Sequence, residues 1–77
     1  MSYVALIMIW LFEREKEYLR YEARPAHNGQ GFELVIIYPS GTETIERFDD
    51  SAALSKRQKE LEAQLAGEGW SGHGWFA

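Results

Sequence analysis

Ten consecutive apolar residues, Tyr3 to Phe12, run straight into the charged burst Glu13-Arg14-Glu15-Lys16-Glu17. A run of this kind must be hidden from water, and the ways of hiding it are few. As a membrane span it is too short, because crossing takes about 20 apolar residues and this one would reach only about 15 Å as a helix. As the core of a secretory signal it lacks a basic residue before it and a small-residue cleavage site after it. No membrane association is expected. The chain reads as a cytoplasmic protein, and its lack of cysteine agrees with that compartment. What remains for the opening segment is a helix or two strands of a hairpin.

The strand reading can be tested by register. Taking Glu15-Lys16 as a two-residue turn sets Phe12 against Leu19, Trp10 against Tyr21 and Met8 against Ala23, all on one side of a sheet. Ile7, Ile9 and Leu11 then fall on the other side, opposite Arg24, Glu22 and Arg20. The turn itself argues the other way, since Glu and Lys resist the positive φ of a type I′ turn and are good helix formers. The matched apolar pairs decide for the hairpin.

Two stronger turn signals follow. Asn28-Gly29 tolerates positive φ at both central positions of a hairpin turn, and centring on it sets Arg24 opposite Glu33, Ala23 opposite Leu34 and Tyr21 opposite Ile36. Pro39-Ser40-Gly41 suits a three-residue loop with the glycine in the left-handed position. Placing Tyr38 opposite Thr42 brings Glu33 against Arg47, Val35 against Ile45 and Phe32 against Phe48. After Phe48 the period changes. Asp49-Asp50-Ser51 offers N-cap oxygens, and Leu54, Gln58, Leu61 and Leu65 recur at helical spacing until Gly67 and Gly69.

The fold expected is α+β: a four-stranded antiparallel β-meander followed by one C-terminal helix packed on one face. Residues 1–69 make a single domain and 70–77 a glycine-rich, aromatic tail. Met8, Trp10, Phe12, Leu19, Tyr21, Leu34, Ile36 and Tyr38 gather on the face that the helix covers, with Trp70 plugging the end of that core. The opposite face carries Ile7, Ile9, Leu11, Val35, Ile37 and Ile45, interleaved with Arg20, Glu22, Arg24, Glu33, Glu43 and Arg47, and the sequence holds no second helix to cover it.

A half-apolar face left in water marks an interaction surface. Its expected residues are Ile7, Ile9, Leu11, Arg20, Arg24, Val35, Ile37 and Arg47, joined by Trp75 and Phe76 of the tail. A chain of 77 residues buries only about 60% of the surface that its unfolded form exposes, and without disulfides association is a common remedy. A homodimer is expected, formed by pairing of strand one as a free edge or through the mixed face. The folded-back tail, a ligand or an unidentified protein partner are the other candidates to cover it.

His27 and His73 have no carboxylate or nucleophile at a telling spacing. No catalytic residue, metal site or cofactor is therefore expected, and the chain reads as a non-enzymatic interaction module. The order of four strands and a helix resembles the half-unit of the Whirly-type single-stranded DNA-binding proteins. That resemblance implies an alternative, a single-stranded nucleic-acid binder in which Tyr18 stacks on bases while Arg20, Arg24 and Arg47 hold phosphate. The net charge of −4 and the glutamates between those arginines weigh against it.

Overall fold

The computed structural model describes residues 8–26 and 29–76. They form β1 (Met8–Arg14), β2 (Glu17–Pro25), β3 (Phe32–Ile37), β4 (Glu43–Phe48), α1 (Ser51–Gly67) and β5 (Ser71–Phe76). The sheet runs in the order β4-β3-β2-β1-β5, with antiparallel neighbours throughout. The meander and the following helix are those that the sequence predicts. The fifth strand is an addition, made from the segment read as a tail.

Each predicted register is observed. In the first hairpin Phe12 pairs with Leu19, Trp10 with Tyr21 and Met8 with Ala23, and Glu15 and Lys16 accept left-handed φ values of 49° and 68° to close it. Packing of the strands has overridden the preference of the turn. The second hairpin keeps Arg24 opposite Glu33 and Tyr21 opposite Ile36. It closes with the Gly29 N–H donating to the Ala26 carbonyl and the Ala26 N–H to the Gly31 carbonyl, both at 3.0 Å. Asn28, on which that turn was centred, lies outside the described residues. In the third, Gly41 N–H donates to the Tyr38 carbonyl at 2.8 Å and Tyr38 N–H to Thr42 at 2.9 Å.

The helix begins where the Asp50 carboxylate accepts the Ala53 N–H at 2.8 Å, satisfying a donor that has no partner within the helix. It ends in a Schellman motif. Gly69, at φ 91°, donates to the Ala66 carbonyl at 3.2 Å, and Trp70 donates to Leu65 at 3.0 Å. This turn requires left-handed backbone, which glycine adopts without strain, and it seats the next side chain against the last turn of the helix. Trp70 is buried there, as expected.

Leu54, Leu61 and Leu65 pack on Phe12, Leu19, Tyr21, Ala23, Leu34 and Ile36, with Trp10, Phe32 and Phe48 partly buried around them. Tyr21 occupies the middle, stacked on Trp10 and Phe12 with ring centroids 6.1 and 5.9 Å away. Its hydroxyl donates to the Glu62 carboxylate at 2.8 Å, which ties the sheet to the helix. Burial, and then that carboxylate, push the phenol well above the ordinary tyrosine range. Tyr38 departs from expectation: it sits at the strand end and is exposed.

Strand β5 pairs with β1, setting Phe76 opposite Ile9, Trp75 opposite Trp10, Gly72 opposite Phe12 and Ser71 opposite Glu13. Between Trp10 and Phe12 the register shifts, so that His73-Gly74 together face Leu11, a β-bulge in the fifth strand. At Gly72 a Cβ would come within 3.2 Å of the Phe12 ring, so the ring lies over bare backbone. Strand β1 is thus interior. Association through strand one as a free edge, one of the two routes expected from the sequence, is closed by the chain itself.

Arg14 anchors the far end of the same hairpin. Its Nη1 donates to the Glu68 carbonyl at 2.9 Å and its guanidinium carbon lies 4.4 Å from the centroid of the Trp70 ring. A cation beside the terminal carbonyls of a helix complements the helix dipole, and its stacking on indole adds a second attraction.

Candidate interaction surface

Side chains alternate across a pleated strand, so the residues between the core positions all point to the face away from α1. From β4 to β1 these are Glu43, Ile45 and Arg47; Glu33, Val35 and Ile37; Tyr18, Arg20, Glu22 and Arg24; and Ile9, Leu11 and Glu13. The pairing registers set Arg24, Glu33 and Arg47 in one row across β2, β3 and β4, and Glu22, Val35 and Ile45 in the next.

Glu33 is the electrostatic centre of this face. It is only 1% exposed, and its two carboxylate oxygens accept from Arg24 Nε and Arg47 Nε, each at 3.2 Å. A buried carboxylate is costly unless it is paired and hydrogen-bonded, and both flanking strands supply the pairing. A looser contact, 3.8 Å, joins Arg20 to Glu22. The three arginines proposed to hold phosphate are therefore each set against a carboxylate.

The expected contact residues divide on burial. Val35, paired between Glu22 and Ile45 on an interior strand, is 2% exposed and offers almost no area to a partner. Ile9, Leu11 and Ile37 are half-buried, Arg24 is half-buried, and Arg20 and Arg47 are exposed. Ile7 lies outside the described residues. Trp75 and Phe76 are placed by backbone pairing in β5, alongside Trp10 and Ile9. Two residues outside the expected set are the most open apolar groups of the face among the described residues: Ile45, 50% exposed, and Tyr18, 53% exposed. Ile45 lies on this face as alternation along β4 predicts, and its exposure accords with the position of β4 at the end of the sheet, which the predicted meander shares.

On the helix side a cleft of about 280 Å³ opens between the start of α1 and the β2–β3 hairpin, lined by Met8, Ala23, Pro25, Phe32 and Leu54 with Ser51, Ser55, Gln58 and Arg24. Its lining is mainly apolar. Among the described residues no cluster of histidine and carboxylate side chains could hold a metal ion, and no helix is long and apolar enough to cross a membrane.

Comparison with protein-family models, with curated proteins and with solved structures finds no match to this chain.

Proposed function

We propose that the chain is a non-enzymatic interaction module, acting in the cytoplasm as a homodimer. The observation that carries this reading is the side of the sheet away from α1, over which no described helix or strand packs. Ile45 and Tyr18 stand half or more in water, and Ile9, Leu11 and Ile37 are only partly sheltered, whereas α1 buries its leucines on the other face. Apolar area exposed in this way is removed from water by association. The engagement of Arg20, Arg24 and Arg47 with Glu22 and Glu33 favours a protein surface over phosphate as the partner, since these ion pairs must be broken to release the cations.

Sedimentation velocity over a wide concentration series tests the proposal. A reversible shift from monomer to dimer in the micromolar range is the expected outcome. A species that stays monomeric at every concentration would sink it.

A further inference from the structure

We propose that two copies of this chain join through β4, edge to edge and antiparallel about a two-fold axis at Ile45, so that their sheets become one. The inference rests on the homodimer reading above and deepens it by naming the contact.

Strand β4 ends the sheet, and its ladder fixes which backbone groups remain free. Tyr38 N–H bonds to the Thr42 carbonyl. Bonded and non-bonded pairs alternate along an antiparallel ladder, so Ile36 with Thr44, Leu34 with Glu46 and Phe32 with Phe48 are the bonded pairs of β3 and β4. The second hairpin gives the same parity from the other side. Ala26 N–H bonds to the Gly31 carbonyl, which commits the backbone of Glu33, Val35 and Ile37 to β2. In β4 the N–H and C=O groups of Glu43, Ile45 and Arg47 therefore point away from the sheet. A strand that docks here must bond through those three residues.

Parity permits only a few two-fold arrangements, and side chains choose among them. With the axis at Ile45, the residue meets its own copy while Glu43 faces the partner's Arg47 and Arg47 faces the partner's Glu43. Every outward backbone group is then used, opposite charges meet at both ends, and Ile45, half exposed in the single chain, is buried in the middle. With the axis moved to Glu46, Glu43 faces Asp49 and Ile45 faces Arg47. With the axis moved to Thr44, Glu43 faces Ile45. Neither shifted register pairs a charge with its opposite. Charged side chains on an edge strand normally repel incoming strands. Here they repel the wrong registers and admit one. On the helix side Thr44 meets Glu46, whose carboxylate is already held by Arg57 at 2.8 Å.

The opposite edge is poorly made for the same purpose. A bulge at His73-Gly74 interrupts β5, and bulges are a common means of preventing edge pairing. Strand β4 pairs with β3 in unbroken register over its whole length. Joined at β4, the two mixed faces would run together into one broad surface.

Three variants test the contact. Ile45→Pro removes an N–H that points outward and leaves the β3–β4 ladder complete, so the monomer keeps its fold. Loss of the central backbone bonds and of the apolar contact should weaken the dimer about tenfold or more. Glu43→Arg, at an exposed position, sets like charges against each other and should also shift the equilibrium to monomer. Bonded antiparallel pairs lie about 5.5 Å apart between Cα atoms, within disulfide range. Ile45→Cys in this cysteine-free chain should thus oxidise to a covalent dimer, while Tyr18→Cys, on β2, should not. If the unaltered chain dimerises and Ile45→Pro and Glu43→Arg leave that equilibrium unchanged, or Ile45→Cys fails to cross-link, pairing at β4 is overturned and the interaction-module reading stands. If the unaltered chain is monomeric throughout, both fall.

Discussion

A side chain at Gly31 would drive its Cβ into the carbonyl oxygen of Phe48, well inside contact distance, and the backbone there has a φ of 78°. Two separate costs follow. The left-handed conformation costs an L-residue roughly 1–2 kcal/mol, and the clash with a backbone atom cannot be relieved by a rotamer change. Gly29 shares the conformation, at φ 81°, but a Cβ there would meet nothing. Gly31→Ala should accordingly destabilise the chain by about 2–4 kcal/mol, and Gly29→Ala by about 1 kcal/mol, the difference being the steric term alone. Urea denaturation of the two variants side by side checks this. Equal losses would mean that β4 yields at Phe48 without cost.

Among the elements, the β1–β2 hairpin holds a conflict between its turn and its strands. Glu15 and Lys16 sit in left-handed backbone because the pairs Phe12–Leu19 and Trp10–Tyr21 gain more by burial than the turn loses. Replacing the two by Asn-Gly keeps every strand contact and removes the strain. Glu15→Asn with Lys16→Gly should stabilise the fold by about 1–2 kcal/mol and raise the thermal midpoint by about 4–8 °C or more. An unchanged midpoint would assign the turn residues contacts that compensate for their conformation.

The same hairpin marks how far the sequence could be read. Complementary pairs such as Arg24 with Glu33 and Val35 with Ile45 made three registers legible, and the aspartates before the leucine stripe made the helix legible. β5 was not. Gly72 and Gly74 lower its strand propensity, and the bulge opposite Leu11 breaks the alternation by which strands are recognised. Of the candidate surface, the Arg24–Glu33–Arg47 row could be read from spacing. The near-complete burial of Val35 could not, because alternation assigns a side chain to a face and does not set how closely its neighbours pack over it.

At the scale of the whole molecule, one narrow helix holds one face of a five-stranded sheet, and polar contacts supplement its leucines: Tyr21 to Glu62, Arg57 to Glu46, and Arg14 to Glu68. The first makes global stability depend on alkaline pH. In the unfolded chain a tyrosine loses its proton near pH 10. In the fold, burial and the neighbouring Glu62 carboxylate keep the Tyr21 proton in place to higher pH. Below about pH 10 both states are protonated and the contribution of Tyr21 is fully present. Above it the unfolded state releases the proton first, so stability falls by about 1.4 kcal/mol per pH unit until the folded state also ionises. Tyr21→Phe abolishes that slope and the hydrogen bond together. Near neutral pH the variant should be less stable by about 1 kcal/mol, the net worth of one such bond. As the pH climbs past about 11, the unaltered chain loses the alkaline term that the variant lacks, and the gap should close or reverse. Urea unfolding of both chains at about pH 8 and about pH 11 resolves the two slopes. If they run parallel, the Tyr21 hydroxyl ionises in the fold as readily as in the open chain, and the bond to Glu62 does not fasten the helix to the sheet.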